Sequence, residues 1–161
     1  MDLSTAAQIE NLKTAFPPHP LDPTLAFDEW GPTYLDAARF RTGTAGRSWP
    51  DLPAAFLEWA HDALVFFGPS SIGEYLPAYL ASLLRRDGEL SAMPGFLLYG
   101  VLTRRDAERF DARFAQLTGV QRKAVAAALL AYERDVAGTP RQTDVTEALD
   151  SYWRSLIAER D

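Results

Sequence analysis

Residues 49 to 84 read WPDLPAAFLEWAHDALVFFGPSSIGEYLPAYLASLL, and this stretch decides the fold. Apolar residues recur at helical spacing and predict two helices, over about residues 52 to 67 and 69 to 86, joined by a tight turn at Gly68-Pro69. Asp51 is placed to accept from the free N–H groups of the first turn, and Pro53 sits where its missing N–H breaks no helical bond. Pro53, Phe56, Leu57, Ala60, Leu64 and Phe67 share one face, with Trp59, Ala63 and Phe66 in a second row beside it. So wide a stripe needs several neighbours. Only Glu58, His61 and Asp62 interrupt it, and their common side reads as the solvent side.

In the second helix Ile72, Tyr75, Leu76, Tyr79, Leu80, Leu83 and Leu84 form one face, and Glu74, Ala78, Ser82 and Arg85 the other. Pro77 removes one backbone bond and crowds the preceding turn, at about 3 kcal/mol. Each large apolar side chain buried returns about 1.5 to 3 kcal/mol. The expectation is a single helix kinked at Pro77, the second arm of a central helical hairpin.

The block Leu76-Pro77-Ala78-Tyr79-Leu80, preceded by Phe66-Phe67, by the Pro69 turn and by Trp49 with Asp51-Leu52, resembles the core of an uncharacterised bacterial all-α domain family. Residues 117 to 130 (LTGVQRKAVAAALL) and 148 to 153 (ALDSYW) are similar to later parts of the same pattern, so the resemblance spans roughly residues 36 to 153. Gly68 stands where the pattern expects a serine cap, and Gly73 where it expects a larger helix former. The resemblance implies a fold and no established activity.

Around that core the chain predicts a single all-α domain over residues 1–161, of about seven helices. Residues 5–16 read as a short helix with Thr5 and Gln8 as a capping box and Ile9, Leu12 and Phe16 on one face. The prolines of residues 17–31 force an extended linker that carries His19, read as a solvated loop histidine, and ends in a Gly31-Pro32 turn; residues 32–161 form the main body. A helix over about 32 to 41 turns Tyr34, Leu35, Ala38 and Phe40 inward, followed by a loop to Ser48. Asp87-Gly88 ends the second hairpin helix and Met93-Pro94-Gly95 marks a turn. Phe96 to Leu102, with Gly100 inside it, reads as extended, a lone strand. Thr103 with Asp106 starts a helix to about 116, presenting Ala107, Phe110, Phe114 and Leu117. Thr118 with Gln121 starts another to about 136, with Val125, Ala128, Leu129, Tyr132 and Val136 in line. Thr143 or Asp144 caps the last, to about 158, which includes an Asp150–Arg154 pair.

The 161 residues contain no cysteine, which excludes a disulfide framework and cysteine-based metal or redox chemistry. The N-terminus lacks the basic and apolar regions of a signal peptide, and no stretch has the length of a membrane span, so the expected location is the cytoplasm. The net charge is −6, and the first 80 residues hold ten acids against four bases. That balance opposes binding to phosphate backbones, which needs a basic stripe.

No nucleophile elbow, zinc-protease helix or dinucleotide turn is present, and Gly43 and Gly46 before Arg47-Ser48 lack the lysine of a phosphate loop. Two functional readings follow. The first is a non-enzymatic protein-interaction domain, an acidic inhibitor or immunity-type protein binding a basic partner surface through Asp22, Asp28, Glu29 and Asp36, with Trp30 as aromatic anchor and no cofactor. The alternative is a metal-assisted or acid/base enzyme using Glu58, His61 and Asp62, whose helical spacing brings two carboxylates and an imidazole to one side.

Overall fold

The computed structural model describes residues 3–22, 24, 27, 29–30, 33–86 and 92–158, and among them every regular element is helical. In chain order these are α1 (Leu3–Ala15), α2 (Ala37–Thr44), α3 (Ala54–Trp59), α4 (Ile72–Arg85), α5 (Met93–Gly95), α6 (Ala107–Phe114), α7 (Gly119–Asp135), α8 (Arg141–Ala148) and α9 (Ser155–Ala158). Short 3-10 turns at Trp49–Asp51 and His61–Phe66 and π-helical runs at Phe96–Leu102 and Leu149–Trp153 extend them. The all-α reading holds. Segments among the described residues outnumber the seven expected, because stretches read as single helices change their winding partway.

Helix α4 is the centre. Every residue from Tyr75 to Leu84 is buried, so Ala78 and Ser82, expected on an outer face, are as enclosed as the apolar row opposite. A helix covered all round needs neighbours on every side, and α4 has α1 and α7 on one flank with the Trp49–Asp51 turn and α3 on another. It runs unbroken through Pro77 and closes at Arg86, whose φ of 53° permits its N–H to reach the Leu83 carbonyl. Asp87 and Gly88, read as the stop signal, lie outside the described residues, as do Gly31 and Pro32.

The first arm of the hairpin is not one helix. After α3 the backbone tightens at Ala60 into the 3-10 turn His61–Phe66, and Pro53 precedes α3 as its cap residue while Asp51 belongs to the 3-10 turn before it. Long-range and side-chain partners take over carbonyls here. The buried Tyr79 hydroxyl donates to the Ala60 carbonyl at 2.9 Å, and His61 Nδ1 lies 2.6 Å from the Glu58 carbonyl, the acceptor that continued α-helix would have used. At the far end Arg113 of α6 donates from Nε to the Phe67 carbonyl and from Nη2 to the Val65 carbonyl, both at 3.0 Å. A buried hydroxyl needs an acceptor, and a 3-10 turn leaves carbonyls turned out to supply one.

Residues 96 to 102, read as a strand, are π-helical and continue from α5. Their helix start is closed by Glu58, whose carboxylate accepts from the N–H of Ala92 at 2.8 Å and of Met93 at 3.1 Å. Their end is closed by Thr103, whose N–H and hydroxyl both donate to the Leu98 carbonyl at 2.9 Å, and by the Trp153 indole N–H, which donates to the Leu102 carbonyl at 2.8 Å. A cap 34 residues upstream leaves no local start signal.

The C-terminal helices follow their local signals more closely. Thr118 and Gln121 make the full reciprocal capping box of α7, and Val125, Ala128, Leu129, Tyr132 and Val136 are all buried. α1 packs along α7, which buries the small residues Ala124, Ala128 and Ala131. Asp106, rather than Thr103, caps α6, and Ala107 points out while Phe110, Phe114 and Leu117 are buried. Helix α8 starts at Arg141 after Pro140, earlier than the expected Thr143 or Asp144, and Arg154 joins Asp150 at 2.6 Å and Glu133 at 2.8 Å. α1 begins at Leu3, so Thr5 is a buried residue inside the helix and not its cap. The linker is tied to the core where the Trp49 indole N–H donates to the Phe16 carbonyl and the Leu21 N–H to the Arg47 carbonyl, each at 2.8 Å.

Candidate interaction surface

The segment read as an acidic face folds over α4 and the 3-10 turn on inward aromatic side chains. Phe27, Tyr34 and Phe40 are buried, and the Phe27 ring lies 5.1 Å from Tyr34, 5.0 Å from Phe40 and 5.3 Å from Phe67, centroid to centroid. Edge-to-face and tilted pairs at this range add about 0.5 to 1.5 kcal/mol each beyond area burial. α2 begins only at Ala37, five residues later than expected, which shifts the register. Ala37 and Phe40 therefore point inward, while Ala38 faces solvent and Leu35 is 99 % exposed. Gly43, placed in a loop by the sequence reading, lies in α2, where the Phe56 ring occupies the space a Cβ would need.

The five residues proposed for a partner fare differently. Asp22 is exposed, and its carboxylate accepts from the N–H of Thr24 at 2.8 Å and its hydroxyl at 2.7 Å; these two bonds, the hydroxyl first, hold its carboxyl below the ordinary range. Asp28 lies outside the described residues. Glu29 is exposed but engaged within the chain, accepting from the Ser70 hydroxyl at 2.5 Å and from the Ser70 N–H at 3.4 Å at the turn before α4. Trp30 is half-buried, with its indole N–H enclosed and unpartnered among the described residues, and with the guanidinium carbons of Arg109 and Arg113 at 5.2 and 5.8 Å from its ring. A Cβ on Gly68 would overlap Glu29 and Trp30, which explains glycine where the pattern expected serine. Asp36 is exposed and its carboxylate has no hydrogen bond or ion pair among the described residues.

The structure thus leaves Leu35 and Asp36 on the outside without an internal partner among the described residues, ties the exposed Glu29 to Ser70 and half-buries Trp30. Leu35 was missed as an outward residue because an expected helix from residue 32 placed it on the core side. Its only local signal is that Tyr34 and Ala37 can share the inward face without it.

Glu58, His61 and Asp62 do not form an open solvated face either; all three are half-buried. Glu58 caps the segment at Ala92 and Met93, the His61 ring packs edge-on against Phe96 at 4.6 Å, and Asp62 accepts from the Tyr34 hydroxyl at 2.8 Å. Burial first, and then the Asp62 carboxylate, push the Tyr34 phenol far above its ordinary value. Among the described residues no group of three or more metal-ligating side chains converges. His19 is tethered rather than merely solvated: it is 55 % exposed, with Nε2 2.8 Å from Glu74 and Nδ1 3.0 Å from the Pro17 carbonyl. These two partners, the carbonyl first, raise its pKa.

Among the described residues no helix is long and apolar enough to cross a membrane. Compared with known proteins, residues 8–157 match the model of a family of unknown function (DUF6714), and the chain belongs to that family. No curated protein and no solved structure matches it.

Proposed function

We propose that this member of a family without an assigned activity is a non-enzymatic protein-interaction domain that meets a basic partner surface through the segment leading into α2. What carries the reading is the pair Leu35 and Asp36. A leucine that is 99 % exposed stands out in a chain that buries Leu21, Leu52, Leu57 and Leu64 among the described residues. Beside it stands a carboxylate with no internal partner among the described residues. An apolar anchor next to an uncommitted acid suits a partner that presents a small apolar pocket rimmed by lysine or arginine. Asp22 adds acidity on the same stretch of chain, whereas Glu29 and Trp30 serve to hold that stretch against α4 and α6. An inhibitor or immunity-type protein works in this way, covering a basic surface with an acidic one, and the acidic half of the chain supports that class over a nucleic-acid binder.

The test is capture from the native host by wild type, Leu35→Ser and Asp36→Lys, followed by association kinetics with the purified partner. Leu35→Ser should weaken binding by roughly tenfold or more, and Asp36→Lys should chiefly slow association and flatten its salt dependence. A partner held equally well by all three proteins would place binding elsewhere and end this reading.

A further inference from the structure

Independently of that surface, α6 carries a second feature that the acidic composition conceals. Arg105, Arg109 and Arg113 line one cleft of about 460 Å³ together with Val65, Tyr99 and Phe110. Arg105 is paired with Glu147 at 3.0 Å and lies over the Tyr99 ring at 3.1 Å. The other two have no carboxylate within ion-pair distance among the described residues. Arg113 is only 4 % exposed and spends Nε and Nη2 on the Phe67 and Val65 carbonyls, which are neutral acceptors. Its Nη1 makes no hydrogen bond among the described residues, and Arg113 is one of the residues that line the cleft. Arg109 shares the Trp30 ring with it and makes no side-chain hydrogen bond among the described residues. Burial, and then the like charge of Arg109, bring the Arg113 guanidinium down to about 10.

A buried cation is normally paired, and two adjacent unpaired ones repel. This chain has 22 acidic side chains, yet the one carboxylate lining the cleft, Asp106, is engaged by the backbone N–H of Arg109 at 3.0 Å. We infer that the Arg109–Arg113 cleft is a binding site for a small phosphate-bearing ligand, whose phosphoryl group takes the two unpaired guanidiniums as its counter-charges. A phosphate monoester carries about −1.5 to −2 at neutral pH, which matches two free cations better than a single carboxylate does. Guanidiniums also present the planar donor forks that phosphoryl oxygens accept. The exposed Tyr99 ring at the mouth gives an organic phosphate an apolar surface on which to rest.

Calorimetry with inorganic phosphate and with phenyl phosphate, on the full chain at low salt, tests this. Wild type should bind at least one of them with Kd below about 1 mM, and Arg109→Gln, at an exposed position, should weaken binding by about tenfold or more. Because Arg113 also holds two carbonyls, Arg113→Lys is compared for binding only after circular dichroism shows the wild-type fold; it too should weaken binding. Tighter binding of phenyl phosphate would assign an organic phosphate as the ligand, and equal binding would assign free phosphate. No heat with either probe up to about 10 mM, or binding that Arg109→Gln leaves unchanged, would overturn the inference.

Discussion

Helix α7 and the stretch from α3 to the π-helical run at Phe96–Leu102 are both buried helical structure, but their ends are closed from different distances. α7 closes its own first turn with Thr118 and Gln121, three residues apart. In the other region Tyr79, Arg113, Glu58 and Trp153 reach the ends and breaks of helices from 19 to 51 positions away. Local caps make a helix that the chain can begin alone. Distant ones make helices that exist only once their neighbours are in place, because an end without partners leaves polar groups to be buried unsatisfied.

The strongest way to break the distant side is to remove what brings its neighbours together. Phe67 is fully buried and stacks on Tyr75 at 4.9 Å while touching the rings of Phe27, Phe40 and Tyr79. Phe67→Ala should cost about 3 to 5 kcal/mol in urea unfolding, since so many rings cannot all collapse into the void.

Caps sharpen the contrast. Glu58→Ala deprives two part-buried N–H groups of their acceptor, at about 1 to 3 kcal/mol. Amide exchange should then quicken across residues 96 to 102 while α7 keeps its protection. Thr118→Ala should cost about 1 kcal/mol and quicken exchange only in the first turn of α7. Equal, global loss of protection in both variants would mean that the two regions open as one unit and that the distinction has no energetic content.

The smallest expected effect is that of His19. Its pKa is raised above 6.5 in the folded chain, so its contact with Pro17 and Glu74 contributes fully below that pH and fades as pH rises through the raised value. The stability difference between wild type and His19→Asn should therefore shrink from pH 6 toward pH 8. Half-exposure keeps it small.

The same contrast decides what the residues alone could tell. The capping box of α7, the successive contacts of its buried face and the Asp150–Arg154 pair each link positions no more than four residues apart, and each was legible. The break at Ala60 and the π-helical run were not, because Tyr79 and Glu58 are far from them in sequence and near only in space. The candidate surface suffered from both limits. Acidity singled out the segment, but choosing between Trp30 and Leu35 as its outward side chain required knowing that Arg109 and Arg113 stand over the indole and that α2 starts at Ala37. The burial of Arg113 had no signal in the apolar pattern of α6, since periodicity reports where an apolar residue would be welcome and not where a carbonyl waits for a donor.

Glycine at position 68 has a consequence for how this lineage can vary. Glu29 and Trp30 fill the volume that any side chain there would claim, so the two sites are not free to drift separately. A serine at 68 would have to displace the end of the Glu29 side chain and the polar edge of the Trp30 indole, loosening the contacts that hold this strap to the hairpin turn. One missing methyl group thus couples the hairpin turn to a strap some forty residues before it.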